Sequence, residues 1–388
     1  MPQKNYASPR FDERGKSIRL ALIALLFYSC IFLIKASMFA CSWKSMPNVF
    51  GLQYKTCLAL AQTFGYAAGK MPAIIYSPKL PASRLRGALI TVVCASGTCV
   101  CLSCAAPAKL ALALVAFACV WLAPTWSLLQ RYLEGRRDTE AIVAIVSFSY
   151  IGASGLCKGL CVDLVLLFGL SEREAVAACA AIGIGVGVAA AFGVAAQPPP
   201  SAADIEKRGR RKAMVSYRTE LDRLLRGGFG VGIGLAVVAY TMLGALRAYR
   251  DYYQLELFQA VGLAQSSSLF ALSEFTVSLF VLGATAGFSA FEDNRTAMHV
   301  ILRVAAPGAL SLALLTYLNQ SGLLGGLPWM IGIGACTFLC CARSRGRRKP
   351  ALPVPALAHG LLTSYRGTAD MTPLPFASCR RATRYDAL

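Results

Sequence analysis

Five charged residues stand inside long apolar stretches: Lys35, Lys70, Lys158, Asp163 and Glu274. A charge at membrane depth costs on the order of 3 kcal/mol, so it pairs with another charge, reaches toward the headgroups or faces a protein interior. At the end of a further stretch stand Arg247, Arg250 and Asp251. Lysine supplies a point charge and arginine a planar fork, which together suit an anionic or zwitterionic solute. A carboxyl such as Glu274 could carry a coupling proton where burial favours its neutral form. Lys35, Lys158, Glu274 and Arg247 are therefore the candidate solute-binding set. Two other readings stay open: Lys158 can pair with Asp163, and Lys70, about one and a half turns from its helix end, can reach the headgroups.

Other chemistries find little support. The chain has only two histidines, His299 and His359, and a single C-x-x-C, Cys101 with Cys104. That is too few ligands for a zinc site. Most of the 15 cysteines lie within apolar stretches, among them Cys57, Cys94, Cys119, Cys179 and Cys336, and read as small hydrophobes. Glu292 and Asp293 are adjacent and point to different sides of a helix, so they do not make an acid–base pair. Gly65, Gly69 and Lys70 fail as a phosphate-binding loop, because only three residues separate the glycines and Met71 stands where Ser or Thr is required. We expect no enzyme, no cofactor and no metal. The G-x-x-x-G pairs Gly65–Gly69, Gly183–Gly187, Gly228–Gly232 and Gly283–Gly287 read as helix-packing seams.

The elements that must position these charges are transmembrane helices. The chain is 56% hydrophobic and 15% charged, with mean hydropathy +0.55. Its apolar residues come in blocks of about twenty, the length that crosses a bilayer. Ten blocks are visible, near 18–42, 55–76, 86–106, 109–131, 140–164, 174–196, 227–248, 268–290, 297–318 and 322–342. Lipid offers backbone groups no partner, so such blocks must be helical. The first is too long for a signal peptide core and reads as a span. The fold class is an all-α polytopic bundle of six plus four helices.

The net charge of +20 is not spread evenly. Lys and Arg crowd the N-terminus and every second loop. Examples are Lys79, Arg84 and Arg86, then Arg131, Arg136 and Arg137, then eight residues between Lys207 and Arg226, then Arg343 to Lys349. The intervening loops hold only Lys44, Lys55, Lys109, Arg173, Arg247 and Arg250. This bias predicts a multi-pass membrane protein with both termini cytoplasmic. It also explains the basicity without nucleic acid; the expected partners are the lipid bilayer and a small solute. The organisation expected is a six-helix half over 1–196, a basic cytoplasmic loop over 197–226 opened by three prolines, a four-helix half over 227–342, and a disordered tail over 343–388.

Several segments carry a resemblance. They are Tyr54-Lys55-Thr56; Gln62-Thr63-Phe64-Gly65-Tyr66; Gly69-Lys70; Arg131 to Arg137 with Thr139-Glu140; Pro199-Pro200-Ser201; Asp204, Arg208, Arg211 and Met214; and Glu292-Asp293-Asn294. In this order, over roughly residues 20–300, they resemble domain-of-unknown-function family 5690, which looks like a relative of the major facilitator superfamily. The resemblance implies two helical halves that rock about a midplane site. It implies gating roles for Glu134, Arg136 and Arg137, since the Glu-Gly-Arg-Arg loop resembles the superfamily's charged loop at that place. The chain departs from the pattern in two ways. The loop Ser83-Arg84-Leu85-Arg86-Gly87 lacks the usual aspartate, and ten spans are two fewer than twelve. The implied function is secondary transport of a small solute by alternating access. The alternative is a membrane sensor or scaffold of transporter-like fold.

Overall fold

A computed structural model describes residues 9–133, 136, 139–149, 151–198, 230–264, 266–289 and 294–341. Among the described residues the regular structure is helical, with two short 3-10 turns and one isolated bridge between Val49 and Leu52. The helices before the long loop are α1 (Pro9–Lys35), α2 (Tyr54–Tyr76), α3 (Ala82–Ala105), α4 (Ala108–Leu122), α5 (Thr125–Leu133), α6 (Thr139–Phe148), α7 (Gly152–Leu166) and α8 (Glu172–Ala195). After it come α9 (Gly230–Tyr252), α10 (Gln254–Ala260), α11 (Ser267–Ser289), α12 (Asn294–Gln320) and α13 (Gly326–Cys341).

Where they are described, the ten apolar stretches are mainly helical. Two are broken: Pro124 separates α4 from α5, since proline lacks the donor that would continue the ladder, and α6 ends at Phe148 before α7 starts at Gly152. α8 opens on a capping box in which the Ser171 hydroxyl and Glu174 carboxylate serve each other's backbone N–H. Among the described residues six helical stretches are long and apolar enough to cross a membrane on length and composition alone. They are Ser17–Lys35, Ala82–Ala105, Ala108–Leu133, Glu172–Ala195, Gly230–Tyr252 and Ser267–Ala284. Other helices are shorter or more polar: α2 carries Lys55 and Lys70, α6 and α7 have 10 and 15 residues, and α13 has 16. They pack with the six all the same. α2 lies on α4, and α13 lies between α11 and α12.

The first eight helices share one apolar core, to which Leu20, Phe27, Leu89, Val115 and Ala180 contribute. Outward-facing Leu22, Leu26, Phe64, Leu235, Leu279, Leu310 and Leu314 are exposed. Exposed apolar area on that scale suits a lipid-facing surface rather than a watery one.

Glycine decides two of the closest approaches. A Cβ on Gly65 would sit 2.1 Å from the Ala116 carbonyl oxygen, and one on Gly69 2.4 Å from that of Val120, so α2 lies directly on α4. A Cβ on Gly155 would sit 2.5 Å from the Phe270 carbonyl oxygen and from Glu274 Cβ, so α7 lies directly on α11. Gly183 and Gly187 also pack tightly, against α1 and α3, whereas Gly232 and Gly283 have open space around them. The seam reading thus holds for the earlier pairs and not for these two; Gly228 and Gly287 lie outside the residues whose side-chain positions are described.

Candidate functional site

The candidate site is built on the corner between α9 and α10. Arg247, Arg250, Asp251 and Gln254 follow at i, i+3, i+4 and i+7, one face of a helix that continues past a short break at Tyr253. Facing it, α7 offers Ser154 and Lys158, one turn apart, and α11 offers the adjacent Ser273 and Glu274.

Lys158 is fully buried. Its Nζ donates to the Asp251 carboxylate at 2.6 Å, to the Asp251 carbonyl at 2.6 Å and to Gln254 Oε1 at 3.0 Å. All three ammonium protons therefore have acceptors, the condition for burying such a charge. The Ser154 hydroxyl donates to the same carboxylate oxygen at 3.1 Å. Gln254 passes the network on: its Nε2 donates to Glu274 Oε1 at 2.7 Å and to the Ser273 hydroxyl at 3.3 Å. Glu274 in turn meets Arg250, Oε1 to Nη2 at 2.7 Å and Oε2 to Nη1 at 3.3 Å, with both side chains about 5% exposed or less. The guanidinium lies against α13 at Gly334, where a Cβ would come within 2.7 Å of Nη2. One continuous chain of polar contacts thus ties α7, α9, α10 and α11, and α13 packs against its arginine.

A second group lies beside it. On α1 the stripe Tyr28, Phe32, Lys35 and on α2 the stripe Gln62, Tyr66, Lys70 face one another. Lys35 Nζ lies 4.6 Å from the centre of the Phe32 ring and 5.6 Å from that of Tyr66. Lys70 Nζ lies 5.2 Å from the same Tyr66 ring. These are cation–π distances. Among the described residues neither ammonium meets a carboxylate. Lys35 is within electrostatic reach of Asp251, Arg247 and Lys158, which joins the two groups. Arg247 itself lies 4.5 Å above the Phe338 ring of α13.

A third contact joins α2 to α10. Lys55 of α2, 3% exposed, reaches both Glu256 oxygens of α10 at 2.7 and 2.8 Å. Thr56 and Tyr253 hydroxyls meet at 2.9 Å, and Phe39 stacks on Tyr252 at 4.4 Å.

The four expected solute-site residues thus fall in one region. Lys158 is paired, though with Asp251 rather than with Asp163, because the α9 corner delivers a carboxylate to its tip. Lys70 does not reach outward: it is 7% exposed and turned against Tyr66. Of the expected gating residues, Arg136 Nη2 donates to the Pro198 carbonyl at the end of α8; Glu134 and Arg137 lie outside the described residues. Sequence reasoning noticed Asp251 and Arg250 without assigning them partners, and it missed Gln254, Tyr66 and the Lys55–Glu256 pair. The spacing of Arg247, Arg250, Asp251 and Gln254 was the available signal.

Comparison with known proteins places these observations in context. Residues 18–344 match the model of a family of unknown function, DUF5690. No curated protein matches the chain. Among solved structures, a mutant form of the nucleoside transporter NupG is 15% identical, with TM-score 0.59, over 91% of this chain and 88% of that one. The inward-open xylose transporter XylE from E. coli is 14% identical, with TM-score 0.55, over 92% and 87%. A bacterial homologue of the human lysosomal transporter Spinster, inward-facing and occupied, is 14% identical, with TM-score 0.53, over 89% and 79%. At such identities the likeness is one of fold. The fold is that of major facilitator superfamily transporters.

Proposed function

We propose that this chain, which belongs to the family of unknown function DUF5690, is a secondary transporter that moves a small anionic solute by alternating access. The observation that carries the reading is the imbalance of charge at the site. Among the described residues four cations gather there, Lys35, Lys70, Lys158 and Arg250, against two carboxylates, Asp251 and Glu274. Both carboxylates are committed, one to Lys158 and one to Arg250. A surplus of positive charge gathered between helices is costly until an anion joins it.

In this reading Lys35 and Arg247 present charge to the solute, while Lys158 and Glu274 hold the site's walls together. Glu274 is also the group on which a coupling proton would act, because protonation removes the charge that holds Arg250. The moving parts are the half over 1–196 and the half over 227–342, joined by the basic loop 197–226, with residues 343–388 as a tail. The Lys and Arg bias puts both termini in the cytoplasm. Lys55–Glu256 and Lys158–Asp251 then close the outer side, and the Glu134, Arg136 and Arg137 loop gates the inner one.

Uptake of labelled organic anions into vesicles tests the reading. Lys35→Met and Arg247→Met should each lower uptake at least tenfold while the protein remains in the membrane. Unchanged uptake in both variants would remove these residues from the site.

A further inference from the structure

We infer that Lys35 and Lys70 together form a two-point site for a solute carrying two negative charges, either on one phosphate group or on two carboxylates. This deepens, and rests on, the transport reading above.

Lys70 has two structural properties that a solvated or lipid-snorkelling lysine lacks. It is 7% exposed, and among the described residues its ammonium has neither an ion-pair partner nor a hydrogen-bond acceptor; its only neighbour of note is the Tyr66 ring. It also has no freedom to turn away by rotating its helix. Gly69 sits against the Val120 backbone, so the adjacent face of α2 is fixed to α4, and Tyr66 of the Gln62, Tyr66, Lys70 stripe meets Lys35 of α1. Lys35 arrives from α1 at the same ring, which places both ammonium groups within 5.6 Å of one ring centre.

Two like charges beside one aromatic ring repel, and among the described residues no carboxylate pairs with either of them. A monoanion would answer one of them. A dianion would answer both and remove their mutual repulsion, so preference for the second charge is built into the pair. The ring supplies an apolar floor for the solute's carbon skeleton. Lys158 takes no part, because its protons already have acceptors.

The test uses the purified full-length protein in detergent at pH 7.5, where a phosphate monoester is mainly dianionic, its second pKa being about 6. Thermal unfolding is followed with methyl phosphate, succinate, acetate or glycerol added. Both dianions should raise the midpoint more than acetate does, and glycerol should leave it unchanged. Lys70→Met should reduce the dianion shift to that of acetate and leave the acetate shift intact; Lys70→Arg, which keeps the charge, should preserve the preference. A larger shift with methyl phosphate assigns both charges to one group, and a larger shift with succinate assigns them to two. Equal shifts for acetate and the dianions, lost in Lys35→Met but kept in Lys70→Met, would overturn the two-point site and leave the transport reading standing. No shift with any anion would overturn both.

Discussion

Lys158 of α7 and Asp251 of α9, 93 residues apart in the chain, meet with Nζ and Oδ1 2.6 Å apart. The contact joins a helix before the basic loop to one after it, and it turns two costly intramembrane charges into one internal pair. The partners are unequal: Lys158 is wholly buried, whereas the Asp251 side chain is 37% exposed.

That inequality predicts an asymmetric response. Asp251→Asn strands a buried ammonium and should cost about 3 kcal/mol, the lower end for breaking a buried pair. Lys158→Met leaves a carboxylate that water can still reach, and should cost less. The double variant should cost less than the two single effects added together. Denaturant unfolding in detergent micelles measures all three, and strict additivity would contradict the pairing.

The contact of α7 with α11 depends on Gly155, where a Cβ would meet the Phe270 carbonyl oxygen at 2.5 Å. Gly155→Ala should destabilise by about 2 kcal/mol through overpacking. Gly283→Ala has open space and should be neutral or slightly stabilising, because alanine is the better helix former. The same unfolding assay separates the two.

Glu274→Gln should keep the hydrogen bond from Gln254 if its amide oxygen takes the place of Oε1, but it removes the charge opposite Arg250. A Glu274 that carries a coupling proton makes uptake depend on a pH gradient. The variant should then lose that dependence while still exchanging solute across the membrane. Uptake with and without an imposed gradient measures this; a gradient response like that of the unaltered protein would exclude Glu274 as the proton site. Gly334→Ala, by crowding the guanidinium, should weaken the same pair from the other side.

Lys55 is 3% exposed and Glu256 39%, so removing the carboxylate leaves a largely buried ammonium and costs at least about 1 kcal/mol. Glu256→Gln should favour the state in which this contact is open by at least roughly fivefold, the population equivalent of that energy. Alkylation of a cysteine placed at Thr56, quantified by peptide mapping because the chain has 15 native cysteines, should accelerate by about the same factor.

The membrane class and the positions of the ten helical stretches were legible because lipid leaves few choices: length and apolarity dictate a helix wherever they coincide. The charges that matter were legible for the same reason, since each is expensive where it stands. Pairing was not legible. Lys158 had a candidate partner five residues along its own segment in Asp163, and sequence alone could not reveal that the α9 corner brings Asp251 closer. Lys70 was misread because nearness to a helix end suggests an outward reach. The tight approach at Gly69 that holds it inward is a relation between two helices, which no single segment contains.

The most direct test of the central claim is counterflow in proteoliposomes. Vesicles are loaded with unlabelled organic dianion and diluted into trace labelled dianion. Alternating access predicts a transient accumulation of label above equilibrium, lost in Lys35→Met. Label that only equilibrates, or does not enter in any of a broad series of anions, would contradict the account and favour a membrane sensor or scaffold.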